Sequence, residues 1–231
     1  MKMFRHSCAV AAMACALGFS TLARAGLEIK VSDGIHNGAG NDSGTPGFAA
    51  FSGLIGNFNV VITQGIGYPA LGSPAQPILD LTSVDLTTAA GGGTLTVMIT
   101  ETGYAATPAA QFFLSSLTGI YLNSHATLDT YLDTTNAAFG TATLLSSGLL
   151  DNQSDLASVP AIPGPYSLTG ILTIIAGANS LTSIDAAIID ASEPASLALL
   201  AAALGALCMI GRGNLPVVAS HARGHAIRGL E

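Results

Sequence analysis

The densest group of potential metal ligands lies near the start of the chain, in the glycine-rich stretch from Ser32 to Thr45. Asp33, Asn37, Asn41 and Asp42 place four oxygen-bearing side chains close together in this stretch. Carboxylate and amide oxygens on a flexible loop suit Ca²⁺, although the spacing fits neither the EF-hand nor the RTX nonapeptide repeat. A structural calcium ion is one interpretation, and an ordinary flexible loop without a cofactor is the other.

Histidine and cysteine offer little further metal or nucleophilic chemistry. His36 and His125 are far apart in sequence and have no close-spaced partner, so they are expected at or near the surface rather than in a zinc site. The three cysteines, Cys8, Cys15 and Cys208, all lie in apolar segments at the two ends of the chain. The central region therefore has no thiol nucleophile, no cysteine-bound zinc and no disulfide.

Two hydrolase interpretations have weak support. The segment Asn41-Asp42-Ser43-Gly44 resembles the nucleophile segment of chymotrypsin-like proteases, but that family places its histidine and aspartate before the serine, which this position does not allow. Two acids such as Glu101 and Asp129 could serve a glycosidase, but nothing singles out a pair, and the chain has no tryptophan to stack on a sugar. A secreted hydrolase is the least favoured function.

The charge of the central region restricts its partners. Residues 26–191 contain twelve acidic residues, and Lys30 is the only base, which gives a net charge of −11. Such a surface repels phosphate backbones and anionic headgroups, so nucleic-acid binding is excluded as a function class. Neutral ligands, cationic ligands or ligands bridged by divalent metal are expected.

The N-terminus has the three parts of a secretory signal peptide. Lys2 and Arg5 form a positive segment, residues 7–22 are apolar, and Ala23-Arg24-Ala25 is a small-residue cleavage site before Gly26. We therefore expect residues 1–25 to be removed on export.

The C-terminus predicts a membrane helix. After Ser192-Glu193-Pro194, an uncharged run covers residues 195–211 and would span about 25 Å as a helix, enough to cross a thin bilayer core. Arg212 directly follows the run and is expected on the cytoplasmic side. A plain C-terminal anchor and a buried helix are the alternatives to a processed signal.

The segment Glu193-Pro194-Ala195-Ser196-Leu197-Ala198-Leu199-Leu200, with Arg212 beyond it, resembles the PEP-CTERM sorting signal of Gram-negative bacteria. The resemblance implies recognition at Ser192, Glu193, Pro194 and Arg212 by an exosortase, cutting near the motif, and delivery to the outer envelope or the extracellular polysaccharide. The segment departs from the family in two ways. Ser192 replaces the first proline, and a short basic and histidine tail, residues 213–231, replaces the dense arginine cluster.

The region between the two signals, residues 26–190, predicts one all-β domain. Runs with a period of two predict strands, and a change of phase near Ser83 predicts a β-bulge. In the clearest strand, Leu95, Val97 and Ile99 are expected to face inward and Thr94, Thr96 and Thr100 outward. Eight to ten short strands favour an antiparallel, jelly-roll-like β-sandwich. The predicted strands are 27–31, 58–63, 78–88, 94–101, 119–128, 130–135, 141–146, 166–176 and 181–189.

Taken together, these patterns predict an exported, non-enzymatic protein of the cell surface or extracellular (biofilm) matrix, with a structural or adhesive role. Its expected partners are the secretion machinery, an exosortase, the membrane through the C-terminal helix, and extracellular polysaccharide. The alternative is a module that binds polysaccharide or ice, because this type of C-terminal module also occurs on some ice-binding proteins.

Overall fold

A computed structural model describes residues 26–41 and 44–191. Every regular element in this part of the chain is a β-strand, and all strand pairs are antiparallel, which confirms the predicted all-β class. No helix in the described ranges is long and apolar enough to cross a membrane. The strands are β1 (Leu27–Ser32), β2 (Asn37–Asn41), β3 (Phe48–Ile55), β4 (Phe58–Ile66), β5 (Ile78–Thr88), β6 (Gly93–Tyr104), β7 (Gln111–Asp133), β8 (Thr143–Leu149), β9 (Gln153–Val159) and β10 (Tyr166–Asp190).

Strands β7 and β10 form a long two-stranded ribbon that connects the rest of the fold. They pair along almost their whole length, and the register is interrupted between Ala176 and Leu181, where β10 carries extra residues opposite Asn123. On one side of this irregularity the free edge of β10 pairs with β6, and on the other side it pairs with β5. The ribbon thus defines a first section, β2-β1-β6-β10-β7-β8, and a second section, β3-β4-β5-β10-β7-β9.

The two sections face each other across one hydrophobic core. Inward-facing aliphatic residues from both sections belong to a single buried cluster. Ser115, in the part of β7 that belongs to the second section, and Thr130, in the part that belongs to the first, are joined by a hydrogen bond of 2.7 Å between their buried hydroxyls. One strand therefore contacts itself across the core, because it bends between these two residues.

Several strand predictions need correction. The predicted pairs 119–128 with 130–135, and 166–176 with 181–189, are each one continuous strand. In the first pair β7 stays in register with β10 through Asp129, and in the second a β-bulge rather than a turn lies between Ala176 and Leu181. Strands β2, β3 and β9 were not predicted, since β2 and β3 are rich in glycine and alanine and β9 is almost wholly exposed. The bulge near Ser83 is confirmed, because Ser83 has a φ of 58° and the β5–β10 register shifts beside it.

The predicted orientation of the inward residues of β6 is confirmed, and that of one outward residue is not. Leu95, Val97 and Ile99 are buried, but Thr100 is fully buried as well. The loop after β7 covers this end of the face, and its Phe139 N–H donates a hydrogen bond to Thr100 Oγ1. The prediction that Thr100 faces solvent was wrong, because a segment distant in sequence folds over it.

The terminal predictions fall outside the described residues. These are the signal peptide with Ala23 and Ala25, the sorting residues Ser192, Glu193, Pro194 and Arg212, and the tail from 213 to 231. Of the predicted cleavage site only Gly26 is described, and its N–H donates to Thr102 Oγ1 at 3.3 Å. The sandwich with jelly-roll connections stays a prediction.

A small internal cavity of about 10 Å³ lies between the sections and supplies a test of packing. It is lined by apolar side chains and by Gly170. A Cβ at Gly170 would lie 3.3 Å from Ile99 Cγ2, and Ile99 also borders the cavity, so its side chain has room to move.

We predict that Gly170→Ala stabilises the fold by roughly 0.4–1 kcal/mol, because alanine restricts the unfolded chain and fills part of the cavity. The matched control is Gly47→Ala, which should destabilise, because Gly47 has a φ of 80° and its Cβ would lie 2.7 Å from the Gly67 carbonyl oxygen. Urea unfolding followed by circular dichroism measures both. A Gly170→Ala variant no more stable than the wild type would contradict the packing described.

Candidate functional site

Four hydroxyl side chains form a continuous row across the first section of the sheet. Ser32 on β1 is opposite Thr96 on β6, Thr96 is opposite Thr173 on β10, and Thr173 is opposite Thr127 on β7. Residues directly opposite in a sheet point to the same side, and adjacent strands are about 4.8 Å apart, so the row extends over roughly 14 Å. All four residues are partly accessible on the outer side of the section.

The neighbouring rows extend this surface. Thr94 lies two residues from Thr96 along β6 and is exposed, as are Ile175 and His125, which pair with each other beside it. On the other side of the row, Met98 and Ile171 pair with each other and are half-buried. We call this surface the hydroxyl face. It comprises Ser32, Thr94, Thr96, Thr127, Thr173, His125, Met98, Ile171 and Ile175.

A depression of about 480 Å³ lies at one end of the hydroxyl face, where β2, β1 and β6 are adjacent. Its side-chain lining includes Lys30, Ser32, Asn37, Ala39 and Met98. Space exists here because β2 has the sequence NGAGN and adds almost no side-chain volume. The glycines are required on the inner side, since a Cβ at position 38 would collide with the ring of the half-buried Phe51 from β3.

The only base of the domain occupies this depression. Lys30 Nζ lies 3.7 Å from the centroid of the Phe139 ring, a cation–π arrangement worth roughly 0.5–1 kcal/mol at an exposed site. Phe139 is held in turn by the hydrogen bond from its N–H to Thr100. Within the described residues no carboxylate forms an ion pair with Lys30. Its ammonium is therefore positioned by an aromatic ring, and not by an acid.

The residues suggested for calcium do not converge in the described part of the chain. Both Asp33 oxygens accept hydrogen bonds within a turn, from the N–H groups of Ile35 and His36 and from His36 Nδ1 at 2.9 Å. These hydrogen bonds stabilise the ionised carboxylate and lower the pKa of Asp33 to about 2, and the bond from the His36 N–H has the largest effect. Asn37 and Asn41 occupy opposite ends of β2, roughly 13 Å apart.

Asp42 lies outside the described residues, so the calcium interpretation as a set stays a prediction. In residues 26–41 and 44–191, no group of three His, Cys, Asp or Glu side chains is arranged to hold a metal ion. Asn37 also lines the depression that contains Lys30.

The acids suggested as a glycosidase pair are not brought together. Glu101 points into the core and is fully buried, whereas Asp129 lies on the outer side, where its Oδ1 accepts the Gly148 N–H. Their side chains lie on opposite faces of the first section, with the sheet between them. This arrangement does not place two carboxylates on either side of one ligand.

Glu101 is a fully buried carboxylic acid in the core of the described structure. The Tyr104 hydroxyl donates a hydrogen bond to Glu101 Oε2, and Glu101 Oε1 has no partner among the described residues. Gly67 is packed directly against the carboxylate, where any Cβ would collide with it. Burial raises the pKa of Glu101 to about 7, and the Tyr104 hydroxyl and the Tyr68 N–H only partly offset this.

Sequence patterns identified some of these residues and missed others. Ser32, Thr94 and Thr96 are apparent as polar positions in alternating strands, but Thr127 and Thr173 join them only through the register of β7 and β10. The Lys30–Phe139 contact joins positions more than a hundred residues apart and has no local signal.

The buried Glu101 makes the stability of the protein depend on pH. Its pKa is 4.5 in an unfolded chain and about 7 in the fold, so the folded state binds the proton more tightly. The resulting stabilisation is complete below pH 4.5 and is lost as the pH rises through 7, a change on the order of 3 kcal/mol.

We predict that Glu101→Gln removes this loss, because glutamine mimics the protonated acid and cannot ionise. Denaturant unfolding from pH 4.5 to 8 measures it, and the variant should be more stable than the wild type at pH 8. Tyr104→Phe is the control, since it leaves the carboxylate buried and should retain the pH dependence. A Glu101→Gln profile parallel to that of the wild type would rule out Glu101 as the source.

No protein-family model and no curated protein matches this chain. Among solved structures, it is similar to the carbohydrate-binding module TmCBM61 in complex with β-1,4-galactotriose, with 10% identity and a TM-score of 0.28 over 58% of this chain and 88% of the other. The enzymatically active domain of tailspike protein 4 of bacteriophage CBA120 has 14% sequence identity and a TM-score of 0.26, and the match covers 56% of this chain and 18% of the other. A structure of infectious bursal disease virus, Gx strain, has 13% sequence identity and a TM-score of 0.22, and the match covers 74% of this chain and 52% of the other. These TM-scores are too low to indicate a shared fold, and no function is transferred from them.

Proposed function

We propose that this chain is an exported, non-enzymatic protein of the cell surface or extracellular matrix, with an adhesive role in which the hydroxyl face contacts polysaccharide. The observation that carries the proposal is the row Ser32–Thr96–Thr173–Thr127 on an accessible side of the sheet. A hydroxyl both donates and accepts hydrogen bonds, so the row matches the hydroxyl groups of a neutral sugar chain without requiring a charge on the ligand.

The composition of the face supports a saccharide ligand. Met98 and Ile171 place apolar surface next to the hydroxyl row, and a pyranose ring likewise presents apolar C–H groups beside its hydroxyls. The acidic body opposes densely charged anionic polymers. A mostly neutral chain lying across the strands meets both conditions, and binding through an open face needs no deep pocket.

The proposal includes the route to the surface and the finer architecture. Residues 1–25 act as a signal peptide, residues 195–211 anchor the chain transiently in the inner membrane, and an exosortase cuts near Glu193-Pro194. The two facing sections form a jelly-roll-like sandwich. Such a domain supplies a rigid support for the hydroxyl face outside the cell.

Ice is the second candidate ligand of the same face. The regular spacing of the cross-strand row favours it, because ice binding requires a flat and regular array of hydroxyl and methyl groups. Thr100 does not extend the array along β6, because it is buried. Inhibition of ice recrystallisation by the exported protein, without binding to any polysaccharide, would favour ice.

We predict that the double substitution Thr96→Val and Thr173→Val weakens binding to neutral polysaccharide roughly tenfold or more, because two hydrogen-bonding groups are lost at the centre of the row. Affinity electrophoresis in gels that contain the neutral fraction of the host exopolysaccharide, a β-glucan or dextran measures the effect. Thr87→Val is the matched control, since Thr87 is exposed on the second section. Equal retardation of the double variant and the wild type would contradict the proposed role of the face.

For the route, we predict that the protein recovered from its own host lacks residues 1–25 and ends near Pro194. Intact mass spectrometry and cell fractionation measure this. Glu193→Ala with Pro194→Ala should retain the C-terminal segment in the inner membrane, whereas Ser192→Pro, which restores the proline typical of the family, should still be processed. Wild-type protein that ends at Glu231 in the inner membrane would contradict the sorting proposal.

A further inference from the structure

We propose that the depression around Lys30 is a binding site for the carboxylate of a uronic-acid sugar, so that the polysaccharide bound by the hydroxyl face carries occasional acidic residues. This inference rests on the proposed function and names the ligand chemistry at one end of the same face. It depends on a feature that binding of a neutral chain does not require, namely a lysine ammonium that forms no ion pair with any acid among the described residues.

Lys30 is held in a position to receive an anion. Its Nζ lies 3.7 Å from the centroid of the Phe139 ring, and no carboxylate in the described part of the chain pairs with it. An ammonium on an aromatic ring keeps donors free for another acceptor. In a region with twelve acids and one base, the base has many potential partners, yet it lies against a ring.

The remaining lining fits a single sugar ring. Met98 and Ala39 provide apolar surface, and Asn37 and Ser32 provide an amide and a hydroxyl at the same depression. With a volume of about 480 Å³, the depression is large enough for one monosaccharide. Ser32 belongs both to this lining and to the hydroxyl row, so a sugar bound here is continuous with a chain on the hydroxyl face.

The negative charge of the body limits how many carboxylates the ligand can carry. Glu28 lies two residues from Lys30 along β1, roughly 7 Å away on the same side of the strand. Lys30 lies opposite Met98, Met98 opposite Ile171, and Ile171 opposite Asp129. Asp129 is therefore three strands from Lys30, a distance of roughly 14 Å. Charges are screened over about 8 Å at physiological ionic strength, so Glu28 opposes a second carboxylate beside Lys30, whereas Asp129 acts mainly at the far end of the face. One carboxylate is therefore accommodated at Lys30, and a densely acidic polymer is repelled elsewhere.

The test compares two polymers that differ only in the carboxylate. They are a xylan with sparse glucuronic-acid side groups and the same xylan after chemical reduction of its carboxyl groups to alcohols. The full-length protein should bind the acidic polymer roughly three- to fivefold more tightly at low salt, as expected for one accessible ion pair, and the preference should decrease at high salt. Lys30→Met should abolish the preference but still bind the reduced polymer, and Lys30→Arg should retain it.

A second measurement follows ligand binding in the depression itself. Met98 is the only methionine between residues 26 and 191, so its ¹³C-labelled methyl signal can be assigned with Met98→Leu. Titration with glucuronate should shift this signal in the wild type and much less in Lys30→Met, and glucose should shift it little in either.

The outcomes separate the two proposals. Equal binding of both polymers by the wild type, with equal methyl shifts for glucuronate and glucose, would overturn the uronate site and leave the hydroxyl face in place. A glucuronate-specific shift without binding to either xylan, to the host exopolysaccharide, to a β-glucan or to dextran would support the uronate site and overturn the proposed polysaccharide function.

Discussion

The structure depends on the pairing of β7 with β10. These two strands contribute to both sections, and every other strand is attached to one of them directly or through one or two neighbours. The pairing is continuous except opposite Asn123, where the extra residues of β10 let the ribbon bend and place Ser115 against Thr130. A domain without cysteine has no covalent link to hold its layers together, so this hydrogen-bonded ribbon takes that role.

The same pairing builds the surface that we propose as functional. The row from Ser32 to Thr127 crosses β1, β6, β10 and β7, and its alignment requires all three registers to be correct at once. A slip of one residue in any pair would exchange a hydroxyl for a core aliphatic residue, because side chains alternate between the faces of a strand. Core packing therefore fixes the geometry of the hydroxyl face, and the face needs no separate stabilisation.

Charge is distributed so that the two proposals are compatible. The acidic body favours ligands of low charge, whereas Lys30 beside Phe139 offers one local cation at the end of the hydroxyl face. Glu101 has a different environment, because it is fully buried in the core, where its carboxylate accepts a hydrogen bond from the Tyr104 hydroxyl. Lys30 is thus the cation that we propose for recognition, and Glu101, the one fully buried glutamate among the described residues, is the group that we predict to make stability depend on pH.

The sequence by itself determined the all-β class, the inward face of β6 at Leu95 and Val97 and the bulge at Ser83, because these follow from side-chain alternation within single strands. Its predicted export and sorting segments lie outside the described residues. Only the tertiary structure decided that Thr100 is buried and that Lys30 lies on Phe139. Such contacts join residues tens of positions apart, and they depend on strand register and loop placement, which the whole core selects and no local pattern encodes.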